Sequence, residues 1–262
     1  MGKALFFDID GTVLSEITKE VPESAVRALH LAREKGHLLF INTGRTRCSV
    51  PRDIRRLPFD GLLCGCGICL EYREEIFFEY HLTDVRRREI VRQADKCLVD
   101  VIYEGMEDVF FSARVSRFDG LENTRRYMAG RGLGLERYIE QGDCAFDKMF
   151  VYTDAHSRRE DYLSSLEADM EIIDRGGGTY ECAPKGFSKA TAIAMMLDRL
   201  GMEKDQAFVF GDSSNDLAMF QYADHAVAMG KHDAVLEPFA EYVTDTVEED
   251  GLWKALEHYG LI

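Results

Sequence analysis

The chain has 262 residues, which is enough for one large domain or two of ordinary size, each with its own core. With 46% hydrophobic and 30% charged residues, the composition is that of a folded globular protein and excludes collagen-like or disordered chains. The 47 acidic residues outnumber the 32 basic ones, which gives a net charge of −15 and excludes a general nucleic-acid binder. An anionic substrate would therefore need local positive charge, and a bound divalent cation is one source of it.

The N-terminal apolar run and the cysteines indicate the compartment. The run after Met1 ends at Asp8 and is too short for a signal peptide. No stretch of about 18 apolar residues is present, so we expect no membrane-spanning helix. Seven cysteines are an odd number, which favours reduced thiols and a cytoplasmic location. Cys64, Cys66 and Cys69 have no second pair of zinc ligands to join them, so buried or strand cysteines are favoured over a zinc site.

Short apolar runs alternate with amphipathic stretches at both ends of the chain. The first part predicts a strand over 4–7, a helix over 22–35, a strand over 38–42, a helix over 49–57, a strand over 61–64 and a hairpin of strands 68–72 and 75–80. The last third predicts a helix over 188–200, a strand over 207–210, a helix over 214–223, a strand over 225–228, a strand near Tyr242 and a helix over 249–259. This alternation is typical of an α/β fold with a doubly wound, mostly parallel sheet.

The middle of the chain has a different pattern. Its candidate strands alternate polar and apolar residues, as half-buried strands do, over 100–104, 109–115, 148–153, 170–174 and 179–182. A helix that opens near Arg86 and two more near 121–129 and 157–168 are expected to cover one face of the resulting sheet. We therefore predict an α+β domain at 83–184, inserted into a discontinuous α/β core formed by 1–82 and 185–262.

Four polar segments occupy equivalent places in the core pattern, each just after a strand or at the start of a helix. They are Asp8-Ile9-Asp10-Gly11-Thr12, Asn42-Thr43-Gly44-Arg45, Lys185-Gly186-Phe187-Ser188-Lys189 and Gly211-Asp212-Ser213-Ser214-Asn215-Asp216. Open α/β sheets bind ligands at the carboxyl ends of their strands. Clustered carboxylates favour a hard cation such as Mg²⁺ between them, while Thr43, nearby amides and Lys189 would donate to a phosphate. Each segment alone also occurs in ordinary turns, but the ordered set predicts a phosphoryl-transfer site.

In this order, the four segments resemble the four motifs of the haloacid dehalogenase superfamily of phosphohydrolases. The long insertion between the second and third segments resembles the cap of the Cof-type subfamily, and so do Ala226–Gly230 and Glu249–Gly251 near the end. The resemblance implies a Rossmann-like core with a cap domain. It also implies a Mg²⁺-dependent phosphatase that hydrolyses phosphate monoesters of small metabolites, such as sugar phosphates, through an aspartyl-phosphate.

The resemblance also implies a role for each matching residue. Asp8 would attack phosphorus, and Asp10 would protonate the leaving oxygen and then activate water. Asp8, the backbone carbonyl of Asp10 and Asp212 would hold Mg²⁺, with Asp216 supporting them from behind. The phosphate would be bound by groups from all four segments, namely the amide of Ile9, Thr43, Gly44, Lys189 and Asn215.

Two positions depart from the Cof-type pattern. Cys66 and Lys231 both stand where the subfamily usually has Asn, and Cys66 puts the leaving-group preference in question. Lys231 adds a cation near the entrance or points into solvent, and base rates favour solvent. A basic run could steer an anionic substrate or form one charged helix face, and the two interpretations are equally favoured; its members are Arg45, Arg47, Arg52, Arg55 and Arg56. Arg45 and Arg47 are nearest the strand end and, with Cys66, are candidate substrate contacts.

Two other functions stay open. A phosphomutase would use the same phospho-aspartate and return the phosphate to a sugar. A regulatory module would keep the Mg²⁺ site without turnover, but the intact motifs argue against it. We expect a small phosphorylated metabolite as the partner, with no nucleic acid and no membrane, and we predict no particular oligomeric state.

Overall fold

The computed structural model describes residues 2–262. The strands, in chain order, are β1 (Ala4–Phe7), β2 (Leu38–Asn42), β3 (Gly61–Cys64), β4 (Cys69–Tyr72), β5 (Glu75–Glu79), β6 (Asp100–Glu104), β7 (Val109–Phe110), β8 (Lys148–Tyr152), β9 (Met170–Gly176), β10 (Thr179–Pro184), β11 (Ala207–Gly211), β12 (His225–Ala228) and β13 (Tyr242–Val243). The α-helices are α1 (Glu23–Glu34), α2 (Arg52–Arg55), α3 (Asp84–Cys97), α4 (Asp119–Ala129), α5 (Arg159–Ser164), α6 (Lys189–Leu200), α7 (Leu217–Tyr222) and α8 (Gly251–His258). Among the described residues, none of these helices combines the length and the apolar character needed to cross a bilayer.

The chain forms two compact units, each with its own sheet. The first unit comprises the described residues up to Arg45 together with 50–79 and 187–262, and the second comprises 46–49 and 80–186. In the first unit the strand order is β13-β12-β11-β1-β2-β3-β4-β5. Every pair from β13 to β3 is parallel, whereas β4 and β5 add an antiparallel edge. The predicted doubly wound, mostly parallel α/β sheet is confirmed.

The central strands of the first unit are apolar and buried along their whole length. β1 and β11 have no exposed residue, as expected of parallel strands with helices on both faces. On one face, α6 and α7 pack on a cluster that includes Phe6 and Phe40, whose rings stack 5.1 Å apart. Helix α1 packs against α8. The packed central strands therefore determine where the polar residues that follow them are placed.

The second unit contains a fully antiparallel sheet in the order β7-β6-β8-β10-β9. Helices α3 and α5 pack on one face of it, where Met149 and Val151 lie in their core. Helix α4 packs on the opposite face against Ile102 and Phe150, so the prediction that all helices cover one face is wrong. The physical reason is that β6 and β8 carry apolar residues at both parities, so both faces of the sheet have apolar surface to bury.

Several predicted elements are shorter in the structure, among them the helices predicted over 157–168, 214–223 and 249–259, and for two others a local cause is visible. The strand predicted over 109–115 ends at Phe110, and beyond it the Ala113 N–H donates to the Glu140 carboxylate at 3.0 Å instead of to a neighbouring strand. The helix predicted over 49–57 is limited to α2, which begins after Pro51. Proline tolerates the first turn of a helix but not its interior, so the segment before it folds separately as a short 3-10 turn at Arg47–Ser49.

Candidate active site

The carboxyl ends of β1 and β11 bring three aspartates together. The strands pair in parallel with Phe7 opposite Phe210, and the Asp8 N–H donates to the Phe210 carbonyl at 3.0 Å, so both strands end at the same level. Asp8 follows β1, and Asp212 and Asp216 follow β11. One carboxylate oxygen from each of the three lies within 4.8 Å of the others. This is the only such group of possible metal ligands found among residues 2–262.

Lys189, the first residue of α6, is buried against these carboxylates. Its Nζ donates to Asp8 Oδ1 at 2.6 Å and also to Asp216 Oδ1. Burial alone would lower the pKa of the ammonium group, but Asp216 and Asp8 outweigh burial and raise its pKa, so the group stays charged. The Asn42 side-chain amide donates to the Lys189 carbonyl at 3.0 Å and fixes the start of the helix. The sequence placed Asn42 in the second polar segment but did not predict this contact.

Asp216 organises the loop after β11 from within the protein. It is fully buried, and its Oδ2 accepts the backbone N–H groups of Asp212 and Ser213, each at 3.0 Å. Its Oδ1 accepts Lys189. Gly211 leaves the space for this carboxylate, because a Cβ there would lie 2.6 Å from Asp216 Cγ. Both oxygens are therefore engaged by donors, as suits a supporting group behind a metal site.

The surroundings of Asp8 and Asp212 disfavour the ionised form of both carboxyl groups. Burial raises the pKa of Asp8 to about 7, with Asp216 adding to the effect and Lys189 opposing it. Burial raises the pKa of Asp212 to about 8, and repulsion from Asp8 and Asp216 contributes. Carboxylate oxygens that repel one another in this way fit a hard divalent cation. Mg²⁺ prefers oxygen ligands, and its charge would relieve the repulsion between the carboxylates. The donor set therefore fits the predicted Mg²⁺.

The turn after β1 leaves room for the Asp212 carboxylate next to Gly11. Gly11 has a φ of +79°, and a Cβ at this position would lie 2.3 Å from Asp212 Oδ2. Thr12 Oγ1 donates to Asp212 Oδ1 at 3.1 Å. Only glycine combines this backbone conformation with this lack of volume, so Gly11 is required where the two loops meet.

The Asp10 carboxylate pairs with Arg45. The Arg45 Nε donates to Asp10 Oδ2 at 2.6 Å and its Nη2 donates to Asp10 Oδ1 at 2.8 Å. The side chain of Asp10 is 40% exposed and that of Arg45 is 24% exposed. The sequence indicated either a substrate contact or a charged helix face for Arg45, so its pairing with Asp10 is a feature that sequence reasoning missed.

The segment after β2 is fastened to the turn between β3 and β4. Thr43 is buried, and its Oγ1 accepts the Arg45 N–H at 3.2 Å. The Gly65 N–H donates to the Arg45 carbonyl at 2.7 Å, and the Cys66 N–H donates to the Thr43 carbonyl at 3.0 Å. Cys66 has a φ of +56°, and its sulfur is near enough to Lys189 to contribute to the raised pKa of that lysine. Thr43 and Cys66 therefore border the same site.

Other residues named from the sequence lie in different environments. Asn215 lies in the 3-10 turn after β11, where its Oδ1 accepts the Ser213 hydroxyl at 3.1 Å. Ile9 is buried, and its carbonyl accepts the N–H groups that close the turn after β1. Arg47 lies in a 3-10 turn of the second unit. Lys231 is 73% exposed and forms an ion pair with Glu16 at 3.3 Å.

A family profile of haloacid dehalogenase-like hydrolases matches residues 5–256. The chain belongs to this family. A curated relative, 5-amino-6-(5-phospho-D-ribitylamino)uracil phosphatase YcsE of Bacillus subtilis (strain 168), is 25% identical over 99% of this chain and 96% of its own length. A solved phosphatase of the haloalkanoate (HAD) enzyme superfamily from Bacteroides thetaiotaomicron is 26% identical, with a TM-score of 0.81 over 100% of this chain and 96% of that one. A solved HAD subclass IIB sugar phosphatase is 25% identical, with a TM-score of 0.80 over 99% of this chain and 100% of that one.

Family membership confirms the resemblance drawn from the four motifs. The match extends over nearly the whole chain, so both the parallel sheet and the antiparallel sheet of the second unit have counterparts in the solved relatives.

Proposed function

We propose that the chain is a Mg²⁺-dependent phosphatase that hydrolyses phosphate monoesters of small metabolites through an aspartyl-phosphate. The observation that carries the proposal is the buried Lys189 ammonium between Asp8 and Asp216, at the carboxyl end of β1 in a member of a hydrolase family. Two of the relatives are named for phosphorylated sugar or sugar-alcohol substrates, which supports a substrate of that class. In this proposal 1–82 and 185–262 form the core, and 83–184 form the cap.

Asp8 would be the nucleophile. Lys189 fixes the orientation of its carboxylate, which is buried. An Asp8 oxygen would form a bond to phosphorus while the bond to the leaving oxygen breaks, and Asp10 would give that oxygen its proton. A water molecule would then attack phosphorus, lose a proton to Asp10 and release Asp8.

Asp8, Asp212 and the backbone carbonyl of Asp10 would hold Mg²⁺. The cation, when bound, supplies charge that neutralises the phosphate oxygens and so overcomes the net charge of −15 on the chain. The remaining phosphate oxygens would be bound by donors that border the aspartate cluster, namely the amide of Ile9, Thr43, Gly44, Lys189 and Asn215.

Replacement of Asp8 by Asn tests the proposal because the change preserves shape and removes the nucleophile. Phosphate release from a panel of sugar and sugar-alcohol phosphates, with Mg²⁺, should fall at least about 1,000-fold, with no loss of thermal stability. The matched control is Asp53→Asn, whose side chain is 86% exposed in α2, and it should keep wild-type turnover. Substantial turnover by the Asp8 variant, or wild-type transfer of phosphate to a second sugar hydroxyl in place of release, would contradict the proposal.

A further inference from the structure

The ion pair between Arg45 and Asp10 gives Arg45 a role in the reaction. We propose that Arg45 is a positioning residue, which orients the Asp10 carboxyl group for proton transfer to the leaving oxygen and from the attacking water. This inference rests on the proposed function, because it takes Asp10 as the acid and base. It goes further by naming the group that makes Asp10 effective.

The geometry of the pair fixes the plane of the carboxyl group. Two nitrogens of one planar guanidinium donate to the two oxygens of Asp10, at 2.6 and 2.8 Å. Such a two-point contact sets both the position and the rotation of a carboxyl group, whereas a single contact leaves rotation about the last side-chain bond. The contact matters because Asp10 is 40% exposed and is not held by packing alone.

The backbone of Arg45 is itself anchored to the proposed phosphate site. Its N–H donates to Thr43 Oγ1 at 3.2 Å, and its carbonyl accepts the Gly65 N–H at 2.7 Å. On the other side of the pair, the Gly11 N–H donates to the Leu14 carbonyl at 2.9 Å and closes the turn next to Asp10. Arg45 therefore links Asp10 to the segment that carries Thr43. The proposed proton donor and the proposed phosphate site are held by the same part of the chain.

A positioning role predicts a dependence on the leaving group that a phosphate-binding role does not. An alkoxide leaving group needs the proton of Asp10 as its bond to phosphorus breaks. A p-nitrophenolate leaves as a stable anion and needs no proton. The value of kcat/KM reports the steps up to formation of the aspartyl-phosphate, so a comparison of kcat/KM for the two ester types isolates the proton donor.

The experiment compares Arg45→Gln and Arg45→Lys with the wild type on p-nitrophenyl phosphate and on glucose 6-phosphate or ribitol 5-phosphate, whichever the wild type hydrolyses faster. For Arg45→Gln, kcat/KM on the alkyl ester should fall about 100-fold, mainly through kcat, while kcat/KM on p-nitrophenyl phosphate falls less than about 3-fold. Arg45→Lys, which keeps the charge but not the two-point contact, should lose about 10-fold on the alkyl ester alone.

A double-mutant cycle shows whether the effect passes through Asp10. In the Asp10→Asn background, Arg45→Gln should lower kcat/KM for the alkyl ester less than about 3-fold further, because the group that Arg45 positions is already gone. The control Arg56→Gln removes an equal charge at a side chain that is 78% exposed and pairs with Asp53, and it should leave both activities unchanged. Thermal melting of every variant reports folding, and Arg45→Lys carries the test if Arg45→Gln fails to fold.

Two results would overturn the inference. One is an equal loss on both esters, with the change mainly in KM, which would make Arg45 a phosphate-binding residue. The other is a full additional loss in the Asp10→Asn background. The proposed function fails differently, since in that case the wild type releases no phosphate from either ester.

Discussion

Asp212 offers a direct test of the charge balance in the site. In the metal-free protein its pKa is raised to about 8 by burial and by repulsion from Asp8 and Asp216. The substitution Asp212→Asn removes the ionisable group with almost no change in shape. Thr12 Oγ1, which donates to Asp212 Oδ1 at 3.1 Å, keeps an acceptor in the amide oxygen of the variant.

The sign and size of the effect follow from the two pKa values. An unfolded chain loses this proton near 3.8 and the folded chain near 8, so between these pH values the folded state binds more protons. The stability of the metal-free wild type therefore falls as pH rises through this window. The difference from 3.8 to about 8 corresponds to a ceiling of about 6 kcal/mol. Asp212 is partly accessible to solvent, which screens its charge, so we expect about 2–3 kcal/mol at pH 8.

Urea unfolding in EDTA, followed by circular dichroism, measures this difference. Asp212→Asn should be more stable than the wild type by about 2–3 kcal/mol at pH 8 and by less than about 1 kcal/mol at pH 5. Saturating Mg²⁺ should stabilise the wild type but not the variant. Asp53→Asn, on an exposed side chain, should show neither effect. A variant less stable than the wild type at pH 8 in EDTA, or a difference independent of pH, would refute the reasoning.

Two further substitutions test the packing of the site. Gly11→Ala places a methyl group against the Asp212 carboxylate at a positive φ, so we expect at least a 10-fold loss of phosphate release and a loss of the Mg²⁺-induced rise in melting temperature. Unchanged Mg²⁺ stabilisation would show that the loops do not meet as described. Lys189→Met leaves Asp8 and Asp216 buried without their cation. The free energy of unfolding in urea at pH 8 should fall by about 3–5 kcal/mol, and activity should be abolished. A variant as stable as the wild type would contradict the buried ion pairs.

Much of the first unit follows from sequence pattern because its central strands are buried on both faces. β1 and β11 appear in the sequence as unbroken apolar runs, and β2 ends at the polar residue Asn42, at the carboxyl end of the parallel strands. The fold of the second unit is harder to predict from the sequence. The apolar residues at both parities of β6 and β8, such as Val101 beside Ile102, do not say which helix covers which face, and that choice depends on long-range packing.

The candidate site likewise contains a part that could be predicted from the sequence and a part that could not. Asp8, Asp212 and Lys189 could be predicted because each follows a strand or opens a helix, and parallel strands place their carboxyl ends together. The pairing of Arg45 with Asp10 joins positions 35 residues apart. An arginine after a strand is equally suited to solvent, to phosphate or to a carboxylate, so its partner emerges only from the fold.

Chemical trapping of the aspartyl-phosphate tests the central claim most directly. The wild type is quenched during turnover of its best substrate and treated with borohydride, which reduces an acyl phosphate to an alcohol, and the peptide that contains Asp8 is then analysed by mass spectrometry. We predict homoserine at position 8 only when substrate and Mg²⁺ are both present, and none at Asp10. Steady phosphate release with Asp8 unmodified at every quench time would contradict the account.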